Sequence, residues 1–98
     1  MTKYRTKPIV IEAFQWLADS EKDPESWPDW LSDAMEAGAI SAGTTSSMYR
    51  VGPSWFIHTL EGEHRVSEND WIIRGVVGEL YPCQDNIFRL TYEAVSDD

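Results

Sequence analysis

The sequence has a single cysteine, Cys83, among its 98 residues. An intramolecular disulfide is therefore excluded, and the usage fits a reducing compartment. One cysteine and two histidines, His58 and His64, are too few for a structural zinc centre built from those ligands. No Gly-rich nucleotide loop, metal-binding box or nucleophile elbow is present, so neither a cofactor nor a metal is expected. Cations are scarce as well. Eight Lys+Arg face 17 Asp+Glu, a formal net charge of −9. Such a field repels a polyanion and argues against direct nucleic-acid binding. No apolar run approaches the ~20 residues that span a bilayer, and no basic-then-apolar leader opens the chain. The expectation is a cytoplasmic protein with no membrane contact.

What the chain does have is aromatic residues. They make up 12% of the sequence, five of them Trp, within a hydrophobic content of 42%. The length suits a single domain over residues 1–98, burying roughly 60–70% of its unfolded surface.

Pro8 to Trp16 read as a first strand, with β-branched residues dominating. Val10, Glu12, Phe14 and Trp16 share one face, and Ile9, Ile11, Ala13 and Gln15 the other. Neither face is wholly polar, which predicts a strand that is central or covered on both sides. Leu17 to Ser26 read as a polar loop. Trp27, Trp30, Leu31, Ala34 and Met35 then fall at i, i+3, i+4, i+7 and i+8, the stripe of an amphipathic helix. The helix is expected over Pro28–Ala37, with Gly38 just past its end in the left-handed conformation. Residues 38–47 read as a loop or weak edge strand. Short strands follow at Met48–Val51, Ser54–Leu60, Glu63–Ser67, Trp71–Arg74 and Glu79–Pro82, separated by Gly- or Asn-containing turns. Asp85 is placed to cap a short helical turn carrying Ile87 and Phe88. Ser96 to Asp98 read as a frayed tail. The fold class is α+β: a small twisted antiparallel sheet or half-open barrel, one amphipathic helix across it, and a C-terminal helical turn.

Both ends of the chain resemble a known group. Tyr4-Arg5-Thr6-Lys7-Pro8-Ile9-Val10-Ile11-Glu12-Ala13-Phe14-Gln15-Trp16 is similar to the opening of small phage and prophage proteins to which no activity is assigned. Thr59-Leu60-Glu61-Gly62, the run from Asp70-Trp71-Ile72-Ile73-Arg74 through Gly75-Val76-Val77-Gly78-Glu79 to Leu80-Tyr81-Pro82-Cys83, then Ile87-Phe88 and Thr91-Tyr92-Glu93, resemble its closing segment. This half is also loosely similar to the small domain named for a proline-glycine-aspartate-tyrosine-glycine motif. Glu68-Asn69-Asp70-Trp71-Ile72 stands in the motif's place, with Asn69 where it has glycine; Asn is the best non-glycine substitute at positive φ. The resemblance does not extend over Leu17–Ser54. It implies a phage or prophage origin and action in a bacterial host cell.

Gln15, Trp16, Trp71, Arg74, Glu79 and Tyr81 could line a ligand groove, with Trp71 and Tyr81 as stacking faces and Arg74 as an anion fork. Packing alone would instead pair Arg74 with Glu79 or Glu12. A carboxylate pair from Glu12 and Glu79, or else His58 or Cys83, would be the basis of a small enzyme. Cys83 reads as a packing residue. Between residues 19 and 36 lie seven acids (Asp19, Glu21, Asp23, Glu25, Asp29, Asp33 and Glu36) and one base, Lys22. They form either a solvated face or a surface that imitates a nucleic-acid backbone in a basic groove of a host protein.

The leading expectation is a non-enzymatic phage accessory protein that binds a host component, as in counter-defence. It would dock on a host protein through the acidic surface or sequester a small nucleotide. The alternatives are a structural or assembly module, with a homodimer as its commonest form, and a small enzyme using Glu12, Glu79 or His58.

Overall fold

The computed structural model describes residues 2–4, 9–40 and 46–95. Strand β1 (Glu12–Gln15) leads through two single 3₁₀ turns, Ser20–Lys22 and Pro24–Ser26, into helix α1 (Asp29–Ile40). Strands β2 (Ser47–Val51), β3 (Ser54–Thr59), β4 (Gly62–Val66), β5 (Trp71–Arg74) and β6 (Leu80–Cys83) follow. The short helix α2 (Asp85–Thr91) comes last. The α+β class stands, and the strands divide into two three-stranded antiparallel sheets, β1-β5-β6 and β2-β3-β4. Among the described residues no helix is long and apolar enough to cross a membrane. The expectations for Pro8, for residues 41–45 of the expected loop or edge strand, and for residues 96–98 lie outside the described residues, while residues 38–40 of that stretch continue α1.

Directly opposed residues of an antiparallel pair share a face. In the first sheet, Glu12, Arg74 and Leu80 are in register, as are Phe14, Ile72 and Pro82. These define the face turned to the main core. In the second sheet, Met48, Ile57 and His64 are opposed, with Trp55 against Val66. The core joins both sheets and the helix: Trp16, Leu31, Ala34, Met48, Ile57, Val66, Ile72 and Leu80 pack as one cluster. Phe14, Trp27, Trp30, Met35 and Trp55 lie against it. The predicted helical stripe therefore faces inward. The first strand is shorter than expected and is the end strand of its sheet, not a central one. One of its faces meets the core at Phe14 and the other meets α2 at Gln15, but no residue of the strand is buried and Glu12 is exposed.

Trp16 continues β1 by bonding the turn ahead of β5. Its N–H donates to the Asp70 carbonyl at 2.8 Å, and its carbonyl accepts from the Asn69 N–H at 2.7 Å. Asn69 there adopts φ +76°, the conformation that the glycine-like position called for. On the outer side of the second sheet Tyr49 stacks on Phe56, ring centroids 6.1 Å apart, and its hydroxyl donates to Glu63. Burial, reinforced by that carboxylate, raises the Tyr49 phenol to about 12.

Gly38 corrects the expected helix end. Instead of terminating α1 it lies inside it, fully packed against β2. A Cβ built there would come within 2.0 Å of the Met48 carbonyl oxygen. The reason is spacing: Leu31, Ala34 and Gly38 are the three buried residues of α1, at i, i+3 and i+7. A helix backbone can rest on a strand backbone only where it has no side chain. Gly38→Ala is expected to destabilise the fold by about 1–3 kcal/mol, although alanine favours an unconstrained helix by ~1 kcal/mol. A urea-unfolding midpoint equal to or above that of the parent would refute the contact.

Candidate functional site

The first sheet presents its second face to α2. Gln15 and Trp71 are opposed across β1 and β5, and Trp71 is opposed to Cys83 across β5 and β6. Asp85, the first residue of α2, sits above them. Its Oδ1 accepts the Trp71 indole N–H at 2.8 Å and the Gln15 amide at 3.2 Å. Arg89, one turn on, donates its Nε to both carboxylate oxygens at 2.9 and 3.0 Å. The Trp71 bond, then Arg89, holds the Asp85 carboxyl below its usual value. Phe88 stacks on Trp71 with centroids 4.1 Å apart and planes 7° from parallel. Tyr92 continues the stack at 5.0 Å, and its hydroxyl lies 3.5 Å from that of Tyr81. Burial, with Tyr92 beside it, pushes the Tyr81 phenol well up. Burial likewise raises the Cys83 thiol, which suits a packing role.

Gln15, Trp71 and Tyr81 thus share one face, and α2 covers it. Arg74 projects from the opposite face and pairs with Glu12 at 3.2 Å. Glu79 does not reach Arg74 as a partner. Its carboxylate folds back over the turn joining β5 to β6, accepting the Val77 N–H at 3.1 Å and occupying the space above Gly75. Trp16 is 5% exposed and belongs to the core. The six ligand-groove candidates therefore do not build one pocket. In particular, Trp71 and Arg74 cannot grip a common ligand, because strand parity sends them to opposite faces.

Glu79 and Tyr81 do line a cleft of about 310 Å³ with Thr59, Glu61, His64 and Pro82. Two carboxylates at its wall oppose a phosphate-bearing ligand. Glu12 lines a different cleft, and His58 points from the outer side of the second sheet beside Ser47 and Glu63. The enzyme alternative therefore lacks a common site for its three residues. Among the described residues no group of three or more His, Cys, Asp and Glu is placed to hold a metal ion.

The acidic segment is laid out along the outside. Asp19, Asp23, Glu25, Asp29, Asp33 and Glu36 are exposed. Asp29, Asp33 and Glu36 fall at i, i+4 and i+7, one stripe of α1 opposite buried Leu31, Ala34 and Gly38. Glu21 turns inward, accepting the Trp55 indole N–H at 3.0 Å and meeting Arg50 at 3.6 Å. Trp27 donates its indole N–H to the Ser20 carbonyl at 2.8 Å. These two bonds bind the acidic loop to two tryptophans. Beside them opens a cleft of about 400 Å³ lined by Trp27, Met35, Ala39, Met48, Val51 and Trp55.

Sequence reasoning missed this cleft and the hub at Asp85. The Trp and Met residues at the cleft are separated by up to 28 positions in sequence, from Trp27 to Trp55, so no local spacing could reveal it. Asp85 did carry a signal, an acid opening an apolar helical turn, but its bonds go to Trp71, Gln15 and Arg89 rather than to a backbone cap. In comparisons with known proteins, no protein family matches the chain, and no curated protein or solved structure matches it.

Because the folded Asp85 carboxyl titrates below an unfolded one, its stabilising contribution is present above the unfolded value near ~3.9. That contribution disappears as pH falls through the lower folded value. Asp85→Asn should flatten this part of the acid-unfolding curve, followed by tryptophan fluorescence. Equal acid slopes in parent and variant would contradict the assignment.

Proposed function

We propose that this chain is a non-enzymatic accessory protein of a phage or prophage that docks on a basic host protein through its acidic outer face. The origin rests on the resemblance of the two chain ends described above. The docking mode rests on one observation: the carboxylates of Asp29, Asp33 and Glu36 form a single exposed stripe on α1, opposite its buried side. At 1.5 Å rise per residue they span about 10 Å, with steps of about 6 and 4.5 Å. One strand of duplex DNA carries a charge every ~3.4 Å along its axis. With the exposed Asp19, Asp23 and Glu25 of the preceding loop, the stripe brings six exposed carboxylates into residues 19–36. A groove built for a nucleic-acid backbone would accept it, and attraction between a strongly acidic and a basic surface speeds encounter. Nucleotide sequestration is the weaker reading, since Trp71, Arg74 and Tyr81 lie on different faces and the cleft at Glu79 is acidic.

The test is capture from bacterial lysate with the parent and with an Asp29→Asn/Asp33→Asn/Glu36→Gln variant. Losing Asp29 from the first turn costs the helix only about 0.3–1 kcal/mol, so the variant keeps its fold. The parent should retain a nucleic-acid-binding protein that duplex DNA displaces and added salt releases. The variant should retain at least tenfold less. Capture that is indifferent to salt, to DNA and to the triple substitution would overturn the reading.

A further inference from the structure

The cleft between Trp27 and Trp55 opens at the edge of the core, and the acidic loop is hydrogen-bonded to both of these tryptophans. Its floor and walls are apolar: Met48 is buried, while Trp27, Met35 and Trp55 are half-buried. Ala39 and Val51 are exposed at its mouth. Its volume of about 400 Å³ falls within the ~300–1,000 Å³ of ordinary ligand clefts. Acids stand on two sides. On one, the Asp19–Glu25 loop is fastened to the rim by the Trp27 bond to Ser20 and the Trp55 bond to Glu21. On the other, Glu36 lies one helical turn from Ala39 on α1. Among the described residues that line the cleft, Arg50 is the one cation, and it is turned to Glu21 at 3.6 Å and to the Gly52 carbonyl at 2.7 Å.

We propose that this cleft is the anchoring pocket of the docking surface. It would receive apolar side chains at the centre of a basic segment of the partner, while flanking Lys or Arg side chains of that segment meet the acids on either rim. This inference rests on the acidic-face reading and gives it a centre. The division of labour follows from the physics. Rim charges mainly accelerate association and set its salt dependence, whereas a desolvated aromatic pocket supplies the lasting affinity. Charge complementarity selects a basic segment; an acidic or phosphorylated one would bring like charges against both rims. The apolar lining selects its centre.

The test uses the whole chain and two Trp-free synthetic peptides of equal positive charge, followed by the protein's tryptophan fluorescence. One peptide carries a Phe-Leu-Phe centre between two blocks of lysines; in the other, glycines replace that centre. The apolar-centred peptide should bind at least tenfold more tightly. Ala39→Phe, at an exposed helical position, should fill the cleft mouth and abolish that preference while leaving the glycine peptide unaffected. Val51→Lys, at the exposed strand end, serves as an independent second block. The Asp29→Asn/Asp33→Asn/Glu36→Gln variant should weaken both peptides by a similar factor. Equal, salt-sensitive binding of the two peptides would overturn the anchoring pocket and leave the acidic face standing. A preference that survives both blocking variants would also overturn it. A preference that holds while the triple variant has no effect would support the pocket and remove the acidic face. Failure of both peptides to bind would remove both.

Discussion

Trp16 is the point at which the separate parts of this small fold are joined. Its backbone is bonded on both sides to the Asn69–Asp70 turn, which fixes the end of β1 against the start of β5. Its ring, almost fully buried, meets Trp27 at 6.1 Å and the edge of Trp55 at 5.4 Å. One residue thus links the first sheet, the second sheet and the entry to α1. A small sheet gains independent stability only by burying an apolar face. The mutual burial of the two sheets around these indoles makes them a unit. The rings also carry N–H groups, and Trp27 and Trp55 place theirs on the acidic loop, so packing of the interior ties that loop in place.

The charge distribution follows from the same economy. A chain of 98 residues has little interior, and nearly all of its 17 acids must stay in water. Where cations are present they neutralise particular places: Arg74 at Glu12, Arg89 at Asp85, and Arg50 at Glu21. The outer stripe of α1 has no such counterion among these pairs.

Periodicity made the helix legible, since Trp27, Trp30, Leu31, Ala34 and Met35 had only one face to share. Alternation and turn residues located β3, β4, β5 and β6 to within a residue or two. Asn69 could be read as a residue in the left-handed region because its neighbours made a turn there. The end of the helix was misread, because glycine suits both a helix terminus and a close backbone contact. Its place at i+7 from Leu31 on the buried stripe was the deciding signal. The ligand groove was misjudged for a different reason. Trp71 and Arg74 are three positions apart in a strand, and odd separation assigns opposite faces whatever the chemistry of the side chains. The partition into two sheets rests on which strands meet across the core, a relation that short-range patterns do not encode.

The absence of a side chain at Gly38 also affects how the molecule behaves towards its own copies. Strand β2 ends its sheet, and a terminal strand with free backbone groups is a template on which another chain can add. Here α1 lies along β2 and rests on the carbonyl of Met48. The helix thereby covers part of the edge on which a further strand would otherwise pair, and the missing side chain at position 38 is what lets it come that close.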